Sequence, residues 1–125
     1  MLLAGTVLDS LDARSLAGFY EAFLGWKRAQ EEESWVVLTP PDDGTRLSFQ
    51  SEPDYVRPVW PSTKDAQQMS IHLDIATDDV ERSVALAVEL GATVAEWQPQ
   101  EGISVMLDPA GHPFCLFYWV PESDA

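Results

Sequence analysis

DPAGHPFCLFYWV, residues 108–120, decides how this chain is read: a tight Asp-Pro-Ala-Gly turn runs straight into a long apolar, strand-forming stretch. The same order occurs once before. PPDDG at 40–44 is a turn signal, and RLSFQS at 46–51 alternates with the two-residue period of a strand. Gly44 and Gly111 stand 67 residues apart, as do Asp12 and Asp79, each of which opens a segment of helical periodicity. That offset predicts a structural repeat of about half the chain.

Working outward gives one element order twice. LLAGTVL, residues 2–8, reads as a buried strand. In DARSLAGFYEAFLGW the residues Leu16, Tyr20, Phe23 and Leu24 recur at helical spacing, with Asp12 as N-cap and Gly25 as the C-terminal stop. WKRAQ and SWVVLTP follow as strands joined by an acidic turn, Glu31-Glu32-Glu33, and RLSFQS completes β-α-β-β-β. In the second half SIHLDIA is a strand, and DDVERSVALAVELGA is a helix presenting Val80, Val84, Ala87 and Val88 and closed by Gly91. TVAEWQ, ISVMLD and PFCLFYWV are three further strands. The helices fit a slightly different offset, so element order rather than residue pairing defines the repeat.

Between the halves lies EPDYVRPVWPSTKDAQQ, whose three prolines disfavour helix and central strand. The expected organisation is one domain over 1–125: a first module 1–51, a linker 52–68 and a second module 69–125. Trp60 in the linker either caps a ligand pocket or packs the linker onto the body of the domain.

Composition narrows the function. With 125 residues, 46% hydrophobic residues and five Trp, the chain can bury a core of its own. Twenty-one acidic against seven basic residues give a net charge of −14, which repels nucleic acid and anionic membrane and attracts small cations. A single Cys forms no internal disulfide. The opening MLLAGTVLDS lacks a basic region and reaches Asp9 too soon for a secretory segment, and no apolar run spans a bilayer. A cytoplasmic protein without nucleic-acid or membrane partners is expected.

The two β-α-β-β-β modules, with FYEAFLGW ending the first helix and DPAGHPFCLF turning into the last strand, resemble the vicinal oxygen chelate superfamily of glyoxalases, bleomycin-resistance proteins and extradiol dioxygenases. LDARSLAGFYEAFLGW, WVVLTPPDDGTRLSFQ, the Trp-Pro linker and IHLDI are similar to its glyoxalase-like subgroup. The resemblance covers essentially the whole chain. It implies an α+β fold in which two βαβββ modules form a curved mixed sheet with a concave cleft, and a homodimer that covers apolar edges.

Metal-dependent members take His or Glu ligands from the first and last strands of both modules, leaving open positions on a Lewis-acidic ion. Carried onto this sequence, those positions fall on His72, on Gly5 or Thr6, on Ser48 and on Cys115. Only His72 is a good donor and Cys115 a possible thiolate. A catalytic zinc site has three protein ligands, and no third stands in register. Gln50 and Asp74 share faces with Ser48 and His72 by alternation, but a same-strand neighbour such as Asp74 substitutes poorly for a ligand from another strand. The expectation is no cofactor and no metal, with His72 as the weak candidate ligand.

Cys115, flanked by Phe114 and Leu116, reads first as a small core residue. As a nucleophile it would need a base, for which His72 is the candidate. His72 reads equally as a satisfied cleft histidine, and His112 as an exposed part of the turn shaped by Asp108 and Gly111. Arg14, Glu21, Glu81, Arg82 and Glu89 fit solvated helix faces.

The leading expectation is a metal-free protein that binds a small cationic or aromatic molecule, as bleomycin-resistance-type proteins do, in a cleft formed by His72, Asp74, Ser48, Gln50, Cys115, Trp35, Trp60 and Trp97. The alternatives are a metal-dependent glyoxalase, isomerase or dioxygenase using His72, and a cofactor-free acid–base catalyst using His72 with Cys115.

Overall fold

The computed structural model describes residues 1–42 and 44–120, so Asp43 of the PPDDG turn lies outside it. The chain divides into two compact units, Met1–Val56 and Arg57 onward, and the boundary falls inside the proline-bearing segment. No helix among the described residues is long and apolar enough to cross a membrane.

The first unit runs β1 (Gly5–Ser10), α1 (Ala13–Leu24), β2 (Lys27–Glu32), β3 (Trp35–Thr39) and β4 (Arg46–Ser51). Its sheet has the order β1-β4-β3-β2, with β1 parallel to β4 and the other pairs antiparallel. The second unit runs β5 (Leu73–Thr77), α2 (Val80–Glu89), β6 (Thr93–Val94), β7 (Ile103–Leu107) and β8 (Pro113–Tyr118). Its order, β5-β8-β7-β6, is the same arrangement, with β5 parallel to β8. The fold is therefore α+β, as two βαβββ modules.

The repeat extends to register. Thr6 lies opposite Leu47 in one unit and Leu73 opposite Phe114 in the other, each residue 67 positions from its counterpart. A parallel pair needs a long crossover, and in each unit the helix and the strands after it supply it.

Helix α1 forms where Asp12 accepts the Ser15 amide at 3.2 Å, and it ends at Gly25, whose φ of 71° is left-handed. It buries Ala13, Leu16, Ala17, Phe19 and Tyr20 against the sheet. Tyr20 stacks on Phe49 with ring centroids 5.6 Å apart, and Phe19 meets Tyr20 edge-on at 4.8 Å. Val36, Leu38, Leu47 and Phe49 fill the rest of this core. Helix α2 is capped the same way, Asp79 accepting the Arg82 amide at 3.0 Å. It covers the face of its sheet that carries Phe114, Leu116 and Met106, all fully buried.

Several elements differ from their sequence-based expectations. Strand β1 begins at Gly5, leaving Leu2 and Leu3 exposed, because its partner β4 begins at Arg46, opposite Gly5. The acidic turn narrows to Glu33-Ser34: Glu31 and Glu32 remain in β2, an edge strand where charged side chains stay in water and discourage foreign pairing. Strand β4 alternates in residue type but buries Leu47, Ser48 and Phe49 consecutively, since it is central in its sheet. On α2 only Ala87 is fully buried and Val88 is exposed, so the inward face is narrower than the four residues Val80, Val84, Ala87 and Val88.

TVAEWQ departs furthest. Only Thr93 and Val94 pair as strand β6. Beyond Ala95 the amide of Gln98 takes the strand's place: its Nε2 donates to the carbonyls of Ala95 and Val105 at 2.8 and 2.9 Å, and its Oε1 accepts the Val105 N–H at 2.8 Å. Pro99, lacking an N–H, could not have continued the ladder.

Glu21, expected in solvent, forms a two-point pair with Arg28 at 3.1 and 3.3 Å, and Arg14 reaches Glu31 at 3.3 Å. The last turn is built as expected. The buried Asp108 accepts the amides of Ala110 and His112 at 2.8 and 3.0 Å, and Gly111 holds a φ of 90° against the Arg57 side chain. His112 is half-buried rather than exposed.

The two caps carry a direct test. Asp12→Ala and Asp79→Ala each remove the acceptor for one helix N-terminal amide, and each is expected to cost about 1 kcal/mol in urea-melt stability.

Candidate functional site

The second-unit sheet has two faces, set by the period of two. Across β5, β8 and β7, one row reads Asp74, Cys115, Val105, and the next carries Phe117 and Ile103. These residues point away from the buried Phe114, Leu116 and Met106. Together with Trp60, His72, Pro99 and Gln100 they line a cavity of about 240 Å³. The walls are largely apolar, and three of the polar groups gather at one side.

That polar side is His72, Asp74 and Cys115. His72 precedes the first paired residue of β5, and Asp74 follows two residues later on the same face. Asp74 lies directly opposite Cys115 across the parallel pair. His72 Nε2 stands 3.1 Å from Asp74 Oδ1, and one donor atom from each of the three residues lies within 4.8 Å of the others. His72 and Asp74 are 43% and 63% exposed, so both can shift to meet a ligand.

Cys115 is on the cavity wall, half-buried, and not the core residue its apolar neighbours suggested. Its neighbours Phe114 and Leu116 are the core residues, and alternation turns the cysteine to the opposite face. Burial, and after it the negative charge of Asp74, push the thiol above its ordinary range. It is therefore neutral at pH 7, and the environment works against a reactive thiolate.

Trp60 lines the cavity, while its Nε1 donates to the Trp97 carbonyl at 3.0 Å and fastens the linker to the unit's body. Trp97 supports Trp60 from behind, with ring centroids 5.6 Å apart at 45°, and is not itself on the cavity wall.

The remaining candidates, Ser48, Gln50 and Trp35, belong to the first unit. Ser48 is buried on β4 opposite Val37 and Val7, while Gln50 is exposed and lies opposite Trp35 and Asp9. At the positions equivalent to His72, Asp74 and Cys115, this unit carries Gly5, Val7 and Ser48. Glycine has no side chain, valine has no donor, and a buried serine hydroxyl is a poor ligand. A metal held by ligands spread over both modules does not fit these residues. Among the described residues, the group of three donors close enough to share an ion is His72, Asp74 and Cys115.

Phe117, Ile103, Val105, Pro99 and Gln100 were not among the sequence candidates. Phe117 was within reach of the same alternation, two residues beyond Cys115. Ile103 and Val105 required the register of β7 against β8, which sequence does not display.

A family model described as "Glyoxalase-like domain" matches residues 5–117. Among solved structures, a glyoxalase/bleomycin resistance protein/dioxygenase family enzyme from Burkholderia phytofirmans PsJN is similar at 14% identity and TM-score 0.73, over 96% of this chain and 100% of that one. A glyoxalase-related enzyme from Fulvimarina pelagi is similar at 18% identity and TM-score 0.68, over 95% and 88%. A glyoxalase/bleomycin resistance protein from Albidiferax ferrireducens T118 gives 16% and 0.65, over 94% and 98%. No curated protein matches. At these identities the structures speak for the fold alone, while the family model spans nearly the whole chain: this protein belongs to the glyoxalase-like domain family.

Proposed function

We propose that the second unit binds a small, flat, positively charged aromatic molecule in the cavity beneath Trp60, without the help of a metal ion. The observation that carries this reading is the pairing, in one cavity, of aromatic and aliphatic walls with a single exposed carboxylate, Asp74. An apolar cavity of about 150 Å³ takes up a benzene ring, so about 240 Å³ suits one or two fused rings. Stacking against Trp60 adds the attraction of an indole face for a cation. Asp74 distinguishes a cation from a neutral ring, and the net charge of −14 raises the local concentration of cations.

A second reading rests on the 3.1 Å contact between His72 and Asp74. A carboxylate that orients an imidazole beside a cavity is the arrangement of a general base. The protonated Cys115 removes the nucleophilic variant of that idea and leaves His72 as its only candidate. His72→Ala is then expected to abolish turnover of a bound substrate while the bound complex still forms; loss of binding without any turnover to lose refutes it.

The binding reading is tested by following Trp fluorescence while titrating quinolinium- and acridinium-type cations and their uncharged isosteres. Asp74→Asn is expected to weaken the cations about tenfold and leave the isosteres within about twofold, whereas Trp60→Ala weakens both. Cations and isosteres that bind alike, with no effect of Asp74→Asn, would sink the proposal.

The thiol offers an independent check on the cavity's electrostatics. Alkylation of Cys115 is expected to accelerate only above the pH at which an ordinary cysteine ionises, and the profile moves to lower pH in Asp74→Asn. An unmoved profile would show that the carboxylate does not act on the thiol.

A further inference from the structure

We infer that the segment 57–71 is a gate on the cavity, that the Trp60 indole is its latch, and that Gln98 positions the catch. The cavity floor is built on paired strands, which carry Asp74, Val105, Cys115 and Phe117. Other lining residues come from stretches outside helix and strand: Trp60 from the segment 57–71, Pro99 and Gln100 from the connection between β6 and β7. Trp60 Nε1 donates to the Trp97 carbonyl at 3.0 Å, and the two indoles meet at 5.6 Å. That clasp joins one wall to the other.

The two walls are held by different means. Gln98 is anchored to β7 through both ends of its amide, Nε2 donating to the Val105 carbonyl at 2.9 Å and Oε1 accepting the Val105 N–H at 2.8 Å. The Trp97 carbonyl belongs to the peptide that joins Trp97 to Gln98, so the anchor sits directly beside the catch. In the first unit the matching edge strand β2 runs on to Glu32; in the second β6 ends at Val94, and the side chain of Gln98 takes over.

The segment 57–71 has no anchor of that kind. None of its residues lies in a helix or strand, and its Val59 amide and Gln68 side chain bond within the segment, to the carbonyls of Gln67 and Thr63 at 2.8 Å each. At its start Arg57 Nη1 donates to the Pro109 carbonyl at 3.0 Å, and the side chain fills the space that Gly111 leaves open. At its end the chain enters β5. Between those ends, among the described residues, the hydrogen bond to the body of the unit is that of Trp60.

Such a clasp closes without locking. An exposed hydrogen bond and an aromatic contact each shift an equilibrium about two- to tenfold, so the open form stays populated. Gln98 is not on the cavity wall and touches no ligand; it is a positioning residue that acts through the Trp97 carbonyl. The gate has a purpose only if the cavity takes a ligand, and in that respect it rests on the reading above.

The test uses the full chain without ligand, with Cys115 on the cavity floor as reporter. A bulky maleimide needs the gate open to reach the thiol, whereas a small methanethiosulfonate reports the thiol's own ionisation. Trp60→Phe keeps a ring and removes the N–H; Gln98→Met keeps the length and removes the amide. Neither changes the charge. Each is expected to speed the maleimide relative to the small reagent about three- to tenfold, and the double variant to go no further than the faster single one, because both break the same link. Asp79→Ala, which loosens the same unit at its helix cap, is expected to leave the ratio unmoved. In isotope-labelled protein observed by NMR, the Trp60 indole N–H, assigned by its loss in Trp60→Phe, is expected to be protected from solvent exchange and to lose that protection in Gln98→Met. A ratio that neither clasp variant moves, or that Asp79→Ala moves as far, overturns the gate. Additive effects in the double variant, or an indole N–H still protected in Gln98→Met, overturn the positioning role of Gln98. Since no ligand enters these measurements, they and the cation titrations fail separately.

Discussion

The chemistry of the second unit hangs on one pairing, the parallel ladder that sets Asp74 opposite Cys115 across β5 and β8. The two residues are distant in sequence, and the helix and strands between them exist, structurally, as the crossover that a parallel pair requires. Register is held by the other face. Phe114 and Leu116 are completely buried, and a slip of one residue would drive both into the cavity and turn Cys115 toward the helix. Core packing on one side of β8 therefore aims the cavity-lining side chains on the other.

The first unit shows how little of that chemistry belongs to the scaffold. It has the same element order, the same sheet order and the same register of first strand against last, yet it carries Gly5, Val7 and Ser48 where its counterpart carries His72, Asp74 and Cys115. Both units satisfy the same demands on their helix-facing side, with Leu47 and Phe49 in one and Phe114 and Leu116 in the other. The opposite face differs between the units, Val7 and Ser48 standing in one where Asp74 and Cys115 stand in the other, although Val37 and Ser48 in the first and Val105 in the second are buried there. The fold fixes the helix-facing side and leaves the chemistry of the other face to the individual sequence.

This division also explains what could be read from the sequence. Helices and most strands were legible because their signals are local: Asp12 and Asp79 as caps, Gly25 as a stop, the two-residue alternation of β4 and β8. TVAEWQ misled because a side chain, Gln98, replaces backbone pairing there, and no local pattern announces that substitution. The site was half legible. His72, Asp74 and Cys115 could each be singled out for the cleft, although Asp74 entered only as a same-strand neighbour of His72. Its place opposite Cys115 is a matter of cross-strand register, a long-range property decided by packing elsewhere. Cys115 was misplaced into the core for a related reason: in PFCLFY every residue is apolar, so the sequence alone does not say which alternate set faces the helix.

The electrostatics of the cavity follow from the same geometry. A net charge of −14 concentrates cations near the surface, but at ordinary ionic strength its reach is limited to about 10 Å and it cannot discriminate among cations that arrive. For the proposed ligand, discrimination needs a fixed charge inside the binding volume, which Asp74 would supply. Because that carboxylate is largely exposed, solvent weakens its pull, and most of the affinity for a ring would come from contact with Trp60, Phe117 and the aliphatic wall. Cys115, kept protonated by its burial and by Asp74 itself, then serves as part of that wall: a neutral, polarisable surface beside one negative charge.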